Sequence, residues 1–455
     1  MAKRETTQES IRYVPIRRIT VEGFKSIARE QTIEVRPLTV LAGANSSGKS
    51  SMLQPLLLLK QTLEATYDPG PLLLHGPNVR FSQAEQLFSR SLNSTPARDF
   101  AIGVVVGPLT ADGSEVFGNT IQFAIDPKEG ITIGRTTTIL GRSRVELTPG
   151  LSGAALAQIP ALKQYLSLFE DVEGEWQVVR RRCFLELVKR GLTNAQLPQE
   201  LSSIGQFSPF ATFSLADAVC RHILHIPGSR GHPERTYPTT GVSSTFPGTF
   251  ENYVASVILM WEANQFAEVD ALSDDLSELG LTSRVTAKRI DDTQIELLVA
   301  RQTKKATAAA DDLVSVADVG FGVSQVLPVV VALLVARPGQ TVYIEQPEIH
   351  LHPRAQVALA NILARAAQRS VRVVVETHSN LLLLGIQALV AKQLLPSKDV
   401  ALHWFTRGDA DGVTKIQTAE LDEAGRYGDW PVDFGDVELD ADTAYLEAAE
   451  SHLRK

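Results

Sequence analysis

The chain has 455 residues, 44% apolar and 21% charged, a balance that fits a globular protein of two or three lobes. Its two cysteines, Cys183 and Cys220, are too few for a disulfide framework or a cysteine metal cage. The longest apolar runs, 326–336 and 381–391, are too short to span a bilayer, and the polar start MAKRETTQES lacks a signal-peptide core, so a cytoplasmic location with no membrane contact is expected. The net charge of −8 is uneven: residues 409–450 carry 13 Asp/Glu against 2 Lys/Arg, so the acidity belongs to the tail and does not argue against nucleic-acid contact elsewhere.

Residues 16–42 alternate β-rich runs with polar breaks and predict strands in a hairpin-rich lobe. The following SSMLQPLLLLKQTLEA predicts a helix, mildly kinked at Pro55. Several short β-like runs follow in 70–150. Residues 153–205 read as mostly helical, with a basic helical patch at Arg180 to Arg190, and 225–250 as a long loop carrying Arg230 and Arg235. A helix over 251–269 and paired strands near 283–302 come next. From 313 the pattern is α/β: strand 341–345, helix 354–368, strand 371–376, helix 380–394 and strand 400–405. No heptad run is long enough for a coiled coil.

The strongest motif is GANSSGKS, Gly43 to Ser50, which follows a strand and opens a helix. Backbone N–H groups of Gly43, Asn45, Ser46, Gly48 and the helix start at Ser51 suit phosphate oxygens. Lys49 should reach the β- and γ-phosphates of ATP, and the Ser50 hydroxyl should bind Mg²⁺. A strand-end acid supplies the second Mg²⁺ contact, and VYIEQPEIHLHP places Glu345 there. The next residue, where many ATP-hydrolysing machines hold a water-activating glutamate, is Gln346, which cannot accept a proton. Glu348, across Pro347, and the strand-end His378 are the candidate assistants, His378 also as a γ-phosphate contact. A Gly/Ser helix start, DVGFGVSQ, places Gly320, Gly322 and Ser324 as further anion contacts.

The order of these motifs resembles the ABC-type ATPases, and more narrowly their RecF/SMC-like and OLD-like branch of bacterial AAA ATPases. ITVEGFKSI, PEIHLHP and ETHSN resemble blocks of that branch over 16–65 and 313–405, with Lys25 and Ser26 near the nucleotide. The resemblance implies an α/β fold: an ABC-type head of a mixed β lobe and a parallel-sheet lobe. It implies a homodimer or higher homo-oligomer in which two heads sandwich two nucleotides. Ser324 and Gly322 would act on the neighbour's ATP, and Lys49, Ser50, Glu345, Gln346 and His378 on their own chain's. Gln83 and Gln86 are candidates for the family's Q-loop role.

The expected organisation is an N-terminal half-head 1–65, an inserted recognition lobe 66–312, a C-terminal half-head 313–408 and an acidic segment 409–455. The 296 residues from Lys49 to Glu345 hold no long coiled-coil arms, which argues against a chromosome-tethering SMC protein. DAD at 440–442 is read as acidic tail rather than a Toprim nuclease. The reading is a slow, nucleotide-switched Mg·ATPase working with a separately encoded protein effector, in phage defence as the resemblance implies. The rivals are a RecF-like DNA-binding repair ATPase and a non-hydrolysing ATP-clamped scaffold.

Overall fold

The computed structural model describes residues 13–90, 97–107, 117–167, 174–189, 212–301, 312–428, 443–447 and 449. Strand β1 (Ile16–Glu22) pairs antiparallel with β2 (Gln31–Glu34), as the early β-rich runs predict. The third run, β3 (Leu38–Gly43), leaves this sheet and enters a different one. After the phosphate loop comes α1 (Lys49–Glu64), which runs through Pro55 and buries nearly its whole length.

Strands β4 (Asp99–Val106), β5 (Phe117–Asp126), β6 (Gly130–Leu140) and β7 (Ser143–Leu147) follow. They do not form a separate lobe. β4 pairs with β1, so one six-stranded antiparallel sheet of order β2-β1-β4-β5-β6-β7 runs across the boundary expected at residue 66. Its apolar face packs on α1 through Phe24, Phe100, Phe123 and the leucines of the helix.

Residues 153–189 correct the helical expectation. Only α2 (Gly153–Leu156) and α3 (Pro160–Ser167) are helical among the described residues there. The basic patch is a hairpin of β8 (Trp176–Arg181) and β9 (Phe184–Lys189), turned at Arg182 with φ +51°. Within the run RRRCFLELV the consecutive residues Cys183, Phe184 and Leu185 bury in the core beneath the antiparallel sheet. Arg190 and the acidic tail residues 429–442, with the DAD triplet, lie outside the described residues.

Helix α4 (Thr212–Arg221) leads to the three-residue strand β10 (Leu224–Ile226). The minor strand β11 (Tyr237–Pro238), helices α5 (Val254–Ala263) and α6 (Glu268–Glu278), and strands β12 (Val285–Arg289), β13 (Gln294–Ala300) and β14 (Leu313–Ser315) complete the middle of the chain. The expected α/β pattern then appears as α7 (Phe321–Val335), β15 (Thr341–Glu345), α8 (Pro353–Gln368), β16 (Arg372–Thr377), α9 (Asn380–Ala391), β17 (Val400–Arg407) and β18 (Thr414–Ala419).

These strands build the second sheet, of order β10-β15-β16-β3-β17-β18, parallel except for β18. Both faces are covered, which explains why its strands read as continuous apolar runs. Leu38, Val40, Val342 and Val373 point to α7, α8 and α9. Leu41, Tyr343, Val374 and Phe405 point to α1 and the antiparallel sheet. Because β10 pairs with β15, residues 224–226 belong to this central sheet and not to an appendage. Among the described residues, no helix is long and apolar enough to cross a membrane.

Candidate nucleotide site

In a parallel sheet, ligands sit in the crevice beyond the carboxyl ends of the strands. Here β3, β15 and β16 all end in polar groups that line one cleft of about 800 Å³, a size ordinary for a small-molecule site. Asn45, Ser46, Gly48, Lys49, Ser50 and Ser51 form one wall. Glu345, Gln346, Glu376 and His378 form another.

The phosphate loop needs two glycines for distinct reasons. Gly43 has φ +144°, and a Cβ there would collide with the Phe405 carbonyl. Gly48 has φ +102°, and a Cβ there would strike Thr414 Oγ1 and come within 2.8 Å of Ser26 Oγ. Those two hydroxyls are themselves 2.8 Å apart, and Thr414 Oγ1 donates to the Ser47 carbonyl at 2.8 Å, so β18 and the turn after β1 brace the loop from outside. Gly48 is the N-cap of α1 and offers no side-chain cap, and no acid lies in the first turn. The helix start therefore keeps unpaired N–H groups and positive potential for an anion, which fits a phosphate group.

Lys49 folds back on its own loop. Its Nζ donates to the carbonyls of Gly43 at 3.0 Å and Ala44 at 2.9 Å. Burial lowers its pKa to about 8 against the opposing pull of Glu376 and Glu348. Incoming phosphates would offer the ammonium a stronger acceptor than carbonyls.

The acids divide unequally. Glu345 lines the cleft, yet both its oxygens are taken: Oε1 lies 3.2 Å from His225 Nε2, and Oε2 accepts from Gly228 N–H at 3.1 Å. Asn78 Nδ2 lies 3.1 Å from His225 Nδ1, so an amide donor there leaves the ring proton on Nε2 for Glu345. Burial pushes the Glu345 pKa up, but the His225 bond and the Gly228 amide outweigh it and hold the carboxyl below its ordinary value.

Glu376, which sequence reasoning missed, sits in register with Glu345 on the neighbouring strand. Its Oε2 accepts from Ser50 Oγ at 2.7 Å, and its Oε1 accepts from the Tyr343 hydroxyl. Burial and the Glu345 charge push its pKa up to about 7, partly offset by those two donors and Lys49. The signal was in ETHSN: an acid closes this apolar strand just as Glu345 closes its neighbour.

Gln346 has φ +44°, a left-handed conformation unusual for a side-chain-bearing residue, and its N–H donates to the Glu376 carbonyl at 2.8 Å. Glu348 is turned elsewhere. Its Oε1 accepts from Thr377 Oγ1 and from the His378 N–H, both at 2.8 Å, and it does not line the cleft. It thus ties the turn after β15 to the loop that carries His378. Burial lowers the His378 pKa, as does the nearby Lys49, although its hydrogen bond to the Gly43 backbone pulls the other way.

The cleft is also lined by Arg90 and Arg407, which the sequence reading did not single out, and by the Q-loop candidates Gln83 and Gln86. Lys25 and Ser26 line it as well, with Lys25 Nζ donating to Gln54 at 2.9 Å. Gly320, Gly322 and Ser324 do not. Gly320 caps α7, and Ser324 is half-buried with its hydroxyl donating to the Phe321 carbonyl at 3.0 Å, in a separate depression.

The loop arginines 230 and 235 differ. Arg235 is exposed and pairs with Asp318. Arg230 is buried. Its guanidinium donates to the carbonyls of Gln325 at 2.7 Å, Glu345 at 3.0 Å and Gln346 at 2.7 Å, and so joins α7 to the β15 turn. His350 stacks near Phe321, and His352 caps α8.

The basic hairpin is structural at its tip. Arg182 donates to the carbonyls of Thr62, Leu63 and Ala65 at the end of α1, Arg180 pairs with Asp68, and Arg181 with Glu186.

Residues 221–384 match the model of a family described as "AAA domain, putative AbiEii toxin, Type IV TA system", and residues 14–69 match a family described as "Protein of unknown function (DUF2813)". No curated protein matches the chain. Three solved structures align over 90% of it. They are an Smc head bound to the C-winged helix domain of ScpA (13% identity, 99% of that chain, TM-score 0.49), the SMC head domain from Thermotoga maritima (11%, 100%, 0.40), and the Smc head with an extended coiled coil bound to the C-terminal domain of ScpA from Pyrococcus furiosus (12%, 98%, 0.44). The phosphate loop at the end of β3 and the acid-ended strands beside it are in keeping with the AAA-domain match, which covers residues 221–384 and so includes Glu345, Gln346, Glu376 and His378.

Proposed function

We propose that the protein is a slow, Mg²⁺-dependent ATP switch whose closed state is a dimer of heads. The observation that carries slowness is the pairing of Gln346 in the water-activating position with a Glu348 that does not line the cleft, its Oε1 held by Thr377 and His378 and its Oε2 buried without a partner. An amide can orient water but cannot take its proton. Glu348 acts here as a positioning residue: it fixes the loop from which His378 faces the cleft. When bound, Mg²⁺ would neutralise phosphate charge, with Ser50 and a strand-end carboxylate as its protein contacts. The uncapped helix start and the Ser50–carboxylate pair fit that ion and an ATP phosphate chain.

The dimer reading rests on Ser324 and Gly322, which stand half-buried at the start of α7 and do not line their own chain's nucleotide cleft. An N-terminus so placed suits the phosphate of a second copy's nucleotide. Long-lived ATP states suit a sensor that signals to a separately encoded protein. The toxin–antitoxin wording attached to the matched family is in keeping with such a partner in defence. Nothing in the basic hairpin favours direct DNA binding, since its three arginines have partners within the chain.

Single-turnover hydrolysis tests the reading. Gln346→Glu should accelerate it by tenfold or more if a base is the missing element, and Ser324→Arg should leave ATP binding intact while blocking turnover. A parent rate near 10 per second, the median for enzymes, would refute the slow switch.

A further inference from the structure

Resting on the Mg·ATP reading above, we infer that Glu376 on β16, and not Glu345 on β15, is the carboxylate that holds the magnesium ion beside Ser50. Sheet order supplies the first argument. Neighbouring strands lie about 4.8 Å apart, so β16, directly beside β3, brings its terminal acid one spacing from the phosphate-loop strand, whereas β15 is two spacings away, roughly 10 Å. Glu345 and Glu376 are in register, so position along the strand does not favour either.

The hydrogen bonds supply the second argument. Ser50 Oγ already donates to Glu376 Oε2 at 2.7 Å. A serine that binds a cation through its oxygen must direct its proton elsewhere, and an adjacent carboxylate is the natural acceptor. Glu345, by contrast, has one oxygen against His225 and the other on the Gly228 amide, both on the side away from β3. Reaching the ion would require it to abandon both. Tyr343, buried beside both acids, stacks on His225 with ring centroids 5.3 Å apart and donates its hydroxyl proton to Glu376. Magnesium sites of this kind use one or two carboxylates with phosphate oxygens and waters.

In this arrangement Glu345 anchors the 225–230 loop. Gly228 and Arg230 both hold the end of β15, so the acid that position would normally give to the metal serves the architecture of the turn carrying Gln346.

The test separates metal from nucleotide. The affinity of a fluorescent ADP is measured with Mg²⁺ and with EDTA for the parent, Glu376→Gln and Glu345→Gln. Glu376→Gln should lose at least tenfold of the magnesium-dependent gain and keep the EDTA affinity, and Glu345→Gln should keep most of the gain. A structure of the parent with Mn²⁺ and a non-hydrolysable ATP analogue makes the result independent of how the variants fold. It should show the manganese anomalous peak in direct or one-water contact with Glu376, and Glu345 still on His225. Manganese on Glu345 with Glu376 out of reach, or an unchanged magnesium gain in Glu376→Gln, overturns the inference and leaves the ATP reading standing. A parent that binds no nucleotide removes both.

Discussion

Replacing Arg230 with leucine should unlatch α7 from the turn after β15. The guanidinium makes three hydrogen bonds of 2.7–3.0 Å to carbonyls of Gln325, Glu345 and Gln346. Bonds from a charged donor contribute about 1.5 kcal/mol or more each, so the gross loss is roughly 4–5 kcal/mol. The variant no longer desolvates a charge, and leucine recovers some apolar contact, which together return roughly 1 kcal/mol. The net expectation is about 3–4 kcal/mol. An unfolding entropy of about 2.1 cal/mol/K per residue over 455 residues comes to nearly 1 kcal/mol/K, so a chain melting as one unit should lose about 3–4 °C in scanning calorimetry. Arg235→Leu is the control: its partner Asp318 and it are both exposed, and such pairs contribute less than about 1 kcal/mol. The latch should also affect function, since it links the helix start bearing Ser324 to the turn bearing Gln346, and ATP turnover should fall in Arg230→Leu while nucleotide affinity holds. A melting shift below 1 °C with parental turnover would show that the three bonds couple nothing.

Three further outcomes follow from particular contacts. Lys49→Ala should weaken ATP binding by a hundredfold or more in equilibrium titration, because the phosphates lose their main cation. Arg182→Ala should cost about 2–3 kcal/mol in denaturant unfolding by uncapping three carbonyls at the end of α1, and leave affinity for single-stranded and duplex DNA unchanged. In metal-free protein, stability should fall between pH 4.5 and 7. Glu376 keeps its proton up to about 7 when folded but releases it near 4.5 when unfolded, so the folded state binds the extra proton in that window. The loss is on the order of 3 kcal/mol, flat above pH 7, and Glu376→Gln should abolish the slope in a pH series of melts.

The sequence by itself determined the parts whose physics is local. GANSSGKS sets a turn that only glycine can make at 43 and 48, followed by a helix start with free amides, and so the phosphate site was legible in the residues themselves. The strands 341–345 and 400–405 were legible as short apolar, strand-prone runs, and the helix from 354 as a longer run with apolar residues at helical spacing. Pairing across long separations was not. That β4 joins β1, or β10 joins β15, depends on edges that meet only after collapse, so the expected boundary at 66 cut through a continuous sheet. The segment 180–189 carries apolar residues at spacings that suit a helix or a hairpin, and the carbonyls at the end of α1 decided for the hairpin by engaging Arg182. The same holds at the site. Glu345 and Glu376 are equivalent in sequence, each an acid closing a buried strand. Only the order of strands sets Glu376 beside Ser50 and Glu345 beside His225, because hydrogen-bond reach is a few ångströms and strand order fixes which acid falls within it.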